Sequence, residues 1–140
     1  MKTWALMYSL IWVAVLQILV ILFPVLSFSS TVDLHAVIGI VVVVLANYVY
    51  FLVRRTACPG RIKRIARVTA IMSFIQIVFG AVLYESIALA FSSSTLFEIT
   101  LFFHVLIAVA IVAQASSAAT AFDMWERKEF TPAQQLAGVS

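Results

Sequence analysis

Charge is missing from four long stretches of this chain: Thr3 to Val32, Leu34 to Val53, Val68 to Tyr84 and Ile99 to Phe122. About 20 apolar residues carry a helix across the hydrocarbon core of a bilayer, with a lower bound of about 17 that even the shortest of these runs meets. All fifteen charged side chains are confined to the short segments around these runs. With 64% hydrophobic residues and only 11% charged ones in 140, against about 45–50% and about 25% in ordinary soluble domains, a soluble globular fold is excluded. The expected architecture is all-α, an integral membrane four-helix bundle forming one domain. Its helices are predicted at about 4–27, 32–53, 66–91 and 96–123, followed by a cytoplasmic tail over 124–140.

The nine cations agree on one orientation. Arg54, Arg55, Arg61, Lys63, Arg64 and Arg67 surround the second connection, and Lys2, Arg127 and Lys128 lie near the two ends. Cations accumulate on the cytoplasmic side of membrane proteins, so the 54–67 loop and both termini are predicted to be cytoplasmic, in a cell membrane. The opposite turns carry Asp33 and Glu98. A formal charge of +3 held at membrane ends gives no reason to invoke nucleic acid. The first apolar run exceeds the 7–15 residues of a signal-peptide core, so helix one is expected to remain, bent or ended by Pro24. A single cysteine, Cys58, excludes an internal disulfide, paired redox thiols and a CxxCH haem attachment.

Ala57-Cys58-Pro59-Gly60 is the densest breaker and divides the chain into two hairpins that look like copies. Leu34-His35-Ala36-Val37-Ile38-Gly39 parallels Phe103-His104-Val105-Leu106-Ile107-Ala108, and Leu16-Gln17-Ile18-Leu19 parallels Ile75-Gln76-Ile77-Val78. The interval from Gln76 to His104 is longer than that from Gln17 to His35. Helix three or its outer turn is therefore longer.

The two histidines are the central chemical feature. His35 precedes Arg54, and His104 precedes Asp123, by the same interval, and each of those residues is the first charge at the inner end of its helix. At about 1.5 Å per residue both imidazoles lie roughly 28 Å from that end, at one depth in the outer leaflet. Ionisable groups within a membrane are costly unless partnered, and they face the bundle interior. Diagonal helices of such a bundle stand roughly 14 Å apart, given about 8–10 Å between neighbours. That gap accommodates a flat macrocycle held through iron from both sides, so one haem b between His35 and His104 is expected. Gly39 and Ala108 follow these histidines by one turn and would give a porphyrin clearance; small residues also serve plain helix packing.

Other polar positions have two readings each. Ser30-Thr31-Val32-Asp33 and Thr95-Leu96-Phe97-Glu98 resemble capping boxes, which makes Asp33 and Glu98 caps. With the start of helices two and four, the hydroxyls of Ser30, Thr31 and Ser92 to Thr95 would receive haem propionates. Glu85 lies about as far beyond Arg67 as the histidines lie from the inner charges, and is either a proton or quinol site or the point where helix three surfaces. Gln17 and Gln76 are expected as interhelical glue. Trp4, Tyr8, Tyr48, Tyr50 and Trp125 form an inner aromatic belt.

The four helices, the stretch Ile75-Gln76-Ile77-Val78-Phe79-Gly80 and one histidine in each even helix, at Leu34-His35 and Phe103-His104, resemble one half of haem A synthase. The likeness spans about Ala5 to Ala121. It implies that His35 and His104 are axial haem ligands near the outer face. The substrate-processing half of that family resembles a Glu-x-x-His-Arg arrangement, whereas Val32 and Leu101 stand three residues before the histidines here, and Ala36 and Val105 follow them. The resemblance thus implies a haem-binding bundle, while these departures count against haem A synthesis. Small four-helix cytochrome b subunits of respiratory complexes look similar in the same way. The expected function is electron transfer in or beside a respiratory complex, with a quinol or protein redox partner. The alternatives are a cofactor-free accessory subunit bound to other membrane subunits, or a small transporter coupled to protons through Glu85.

Overall fold

A computed structural model describes residues 3–23, 27–89 and 95–137, the final nine of these as backbone. Four helices account for nearly all of them: α1 (Thr3–Leu22), α2 (Phe28–Arg54), α3 (Gly60–Ala88) and α4 (Thr95–Ala137). Each is long and apolar enough to cross a membrane. Helix α1 packs on α2 and α4, and α3 packs on the same two. That leaves α1 and α3 on one diagonal of the bundle, and α2 and α4 on the other.

The outside of the bundle is built for lipid. Trp12, Phe23 and Val78 are 71%, 70% and 63% exposed, and a continuous apolar exterior of this kind belongs in hydrocarbon rather than water. The inside is layered. Leu6, Met7, Val49, Val53, Cys58, Ile62, Ala66, Ala118, Ala119 and Phe122 form a core cluster at the end holding the α2–α3 connection. Next comes a thinner layer of Leu10, Ala14, Val42, Ala46 and Ala115. The alanines let backbones approach closely, which is how helices associate where lipid removes the hydrophobic drive. Thr69 of α3 lies among these layers, lining one cavity with Met7, Leu10, Val49, Ala66, Ala115 and Ala118, and further along α3 the interior turns polar at buried Ser73 and Gln76.

The helix ends differ from those expected. Helix α2 begins at Phe28 rather than near residue 32, because Ser27 (φ −58°, ψ 153°) is the last extended residue and its carbonyl already accepts from Thr31 N–H at 2.9 Å. The Ser30-Thr31-Val32-Asp33 box therefore lies inside the helix and does not cap it. Asp33 instead accepts the Tyr84 hydroxyl at 3.1 Å, tying α2 to α3. Helix α3 starts at Gly60, well before the expected position at 66, after Pro59 (φ −52°, ψ 141°). Most of the 54–67 segment is thus helical and only residues 55–59 connect. Arg and Lys are good helix formers, so a helix need not stop where its apolar run stops. For the same reason the expected tail over 124–140 is a continuation of α4 as far as Ala137, braced by an Asp123–Arg127 ion pair at 3.1 Å.

Helix α1 ends at Leu22, short of the expected 27, and α3 at Ala88, short of 91. Pro24 and the serines 92–94 lie outside the described residues. At the tight connection, the orphan carbonyl of buried Val53 accepts from Thr56 N–H at 3.1 Å and from the Thr56 hydroxyl at 2.8 Å. The Cys58 thiol approaches the same oxygen at 3.9 Å. These contacts satisfy a helix terminus that would otherwise leave carbonyls bare, and they make Cys58 a buried packing residue.

Candidate functional site

The polar end of the interior gathers the chain's two histidines. His35 of α2 and His104 of α4 belong to diagonal helices, yet their ring centroids are 6.1 Å apart with an interplanar angle of 55°. The shared depth inferred from counting residues is therefore realised as a contact. Each ring is partly buried.

A main-chain contact from α1 sets the tautomer of the first ring. His35 Nδ1 lies 2.9 Å from the Gln17 carbonyl oxygen. A carbonyl only accepts, so Nδ1 carries the proton and donates it. Nε2 is left as the basic nitrogen with a free lone pair. This is the arrangement by which a backbone carbonyl orients a metal-ligating imidazole and raises its basicity.

Helix α3 holds the second ring. Gln76 Nε2 donates to the His104 main-chain carbonyl at 3.0 Å. One turn on, Gly80 lies against the imidazole itself: a Cβ there would stand 3.4 Å from His104 Cε1 and 4.0 Å from Nδ1. Beside this pair, Phe79 and Phe103 stack across α3 and α4 at 6.4 Å and 15°, and Phe102 meets Phe103 edge-on at 5.5 Å. Among the described residues, two buried side-chain N or O atoms lack a hydrogen-bond partner, Gln76 Oε1 and His104 Nδ1. Both belong to this site.

The small residues singled out in the sequence act differently from one another. A Cβ on Gly39 would lie 2.8 Å from Gln17 Nε2, so Gly39 makes room for the Gln17 carboxamide, whose own main-chain oxygen receives His35. Ala108 is half-buried on α4, but the glycine against His104 is Gly80 of the neighbouring helix. In the sequence, Gly80 is marked only by the motif that it shares with Gln76, one turn before it on the same face. Glu85 is exposed and lines a groove of about 330 Å³ with Ala81, Val82 and Ser86 at the end of α3 and Leu89 just after it. Five positions beyond Gly80, it points well round the helix from the imidazoles.

The donor set can be tested against the group that it suggests. Two imidazoles bound to opposite sides of one metal at about 2.0–2.1 Å each have ring centroids roughly 6 Å apart, since each centroid lies a little over ~1 Å behind its nitrogen. The observed 6.1 Å meets that requirement, and rotation about the nitrogen–metal axis leaves the interplanar angle free. In the separation of their rings, the two histidines match a bis-imidazole site. Comparison with protein-family models, with curated proteins and with solved structures finds no match.

Proposed function

We propose that the chain is a membrane-integral b-type cytochrome unit that holds one haem between His35 and His104 and exchanges electrons in or beside a respiratory complex. The observation that carries this reading is the convergence of the only two histidines, from diagonal helices, to 6.1 Å. Protein-only metal sites such as those of zinc draw three or four ligands from the chain, and no such group of His, Cys, Asp and Glu converges among the described residues. A lone imidazole pair would suit a metal whose remaining positions come with a macrocycle. Haem held by these two residues would supply one-electron chemistry.

The chain's own residues have separable tasks in this reading. His35 and His104 are the ligands; the Gln17 carbonyl orients His35, and Gly80 leaves room for His104. Phe79, Phe103 and the surrounding aliphatic residues keep water from the site. The propionates would meet the first turns of α2 and α4 and the exposed hydroxyls of Ser27, Ser29 and Ser30. We place the basic α2–α3 connection and both termini in the cytoplasm on the strength of the cation count, so a quinol or protein redox partner approaches from the outer face.

Two measurements test the proposal. Expressed with adequate haem supply and purified in mild detergent, the protein is expected to show a low-spin b-type spectrum, with about one haem per chain by pyridine haemochrome. A folded but colourless protein would overturn the assignment and favour a cofactor-free accessory subunit, in which the two rings only pack against each other. For orientation, a C-terminal reporter that is active only in the cytoplasm should be active; activity of a periplasmic reporter at the same position would reverse the topology.

A further inference from the structure

The α2–α3 connection and the helix turns on either side of it carry Arg54, Arg55, Arg61, Lys63, Arg64 and Arg67. Among the described residues none of the six is in an ion pair, and the five arginines are exposed. Left to itself, this collar is electrostatically unfavourable. A helix N-terminus is the positive end of its dipole, yet α3 opens with Arg61, Lys63 and Arg64 and has no acidic residue in its first turn. Arg61, Arg64 and Arg67 also follow one another at intervals of three, where like charges on a helix repel. An anion from outside the chain relieves both strains.

Two features define what kind of anion fits. Arg61, Arg64 and Arg67 share a face of α3 that runs on into Ile71, Ile75 and Val78, all exposed. The three arginines span about 9 Å of helix axis, and a bilayer of about 40–45 Å with about 30 Å of hydrocarbon leaves a headgroup layer roughly 5–8 Å deep on each side. Cations at headgroup depth thus stand directly above an apolar stripe at acyl-chain depth. On the neighbouring helix, the guanidinium groups of Arg55 and Arg54 lie 3.8 and 5.8 Å from the ring centroid of Phe51, one turn further into the membrane. Cationic side chains at a membrane surface ordinarily carry their charge away from the hydrocarbon; these two fold back toward it and share one ring with no carboxylate between them.

We propose that the collar is a docking surface for anionic phospholipid: an acyl chain lies along Ile71, Ile75 and Val78, and the phosphate meets Arg64 and Arg67, with Arg54 and Arg55 flanking from α2. A soluble anion has no use for the apolar stripe, and a zwitterionic lipid leaves the collar's charge uncompensated. The assignment does not depend on haem.

Full-length protein in detergent containing equal amounts of phosphatidylglycerol and phosphatidylcholine tests it, with native mass spectrometry reading the ratio of the two lipids in the singly lipidated species. A preference for phosphatidylglycerol of at least about fivefold is expected, since one cation near an anionic lipid surface is worth about that factor. Arg64→Gln and Arg67→Gln should each lower the ratio about fivefold, whereas Arg64→Lys, which keeps the charge, should retain most of it. R67Q carries the comparison should R64Q fail to fold by circular dichroism. In the double variant R64Q/E98Q the net charge is restored at the opposite end of the bundle, and the ratio should stay low. Equal binding of the two lipids by the wild type, an unchanged ratio in R64Q and R67Q, or recovery in R64Q/E98Q would each overturn the proposal. So would displacement of phosphatidylglycerol by excess glycerol phosphate, the headgroup without its chains, because the arginines would then serve a soluble phosphate.

Discussion

Replacing either His35 or His104 with Ala is expected to abolish haem binding while leaving a folded four-helix protein. Loss of a partner that merely orients a ligand costs roughly 10–100-fold in metal affinity, and removal of the ligand itself should exceed that, down to no detectable haem by pyridine haemochrome. The fold should survive because neither ring belongs to the two core clusters, which lie toward the other end of the bundle. The Gln17 carbonyl left behind in H35A sits within α1 and retains its helical hydrogen bond as one of two acceptor sites. Size-exclusion profiles and helical circular dichroism should match those of the wild type. A normal low-spin spectrum in both single variants would show that the haem is held elsewhere.

The second large effect is expected at Gly80, and it is graded by size. A Cβ there would contact His104 Cε1 at 3.4 Å, close to ordinary van der Waals distance, so Gly80→Ala should bind haem nearly as the wild type does. Gly80→Leu drives three further carbons toward the imidazole. Overpacking of this kind costs roughly 1–3 kcal/mol, equivalent to about a 5- to 150-fold loss of affinity if the strain is relieved by displacing His104. Haem titration of the two variants checks it; equal affinity in G80A and G80L would show that the glycine does not seat the ring.

Much of the architecture was legible because charge and water obey simple rules at a membrane. Fifteen charges excluded from four runs leave few alternatives to four spanning helices, and equal intervals counted from Arg54 and Asp123 put the histidines at one depth. Helix ends were less legible, since the absence of charge marks where a helix can lie in lipid and not where hydrogen bonding stops. Hence α3 reaches back to Gly60 through Arg64, Lys63 and Arg61, and α4 runs on past Asp123 to Ala137. The capping box at Ser30 to Asp33 misled for a related reason: its spacing is also ordinary helix interior, and Ser27 had already ended the extended chain.

Within the site, the ligand pair could be found by sequence and its supports only in part. Gln17 attracted notice for its side chain, whereas its main-chain oxygen is what receives His35, and no side-chain pattern encodes that. Gly80 and His104 come together because α3 and α4 are neighbours at a particular register, a relation between helices that the periodicity of either one does not contain.

The alanine-rich layers bear on energetics of another kind. They fill the bundle from the basic connection up to Ala14 and Val42, and both histidines lie beyond them, roughly 28 Å of helix from Arg54 and Asp123. On the cytochrome reading, an electron that enters and leaves from the nearer face crosses little of the membrane's electric field. The full potential is worth about 2.3 kcal/mol per charge per 100 mV, and almost none of it acts over so short a path. The packed half of the bundle would then serve as an electrical insulator, and electron exchange at the nearer face would draw little on the membrane potential.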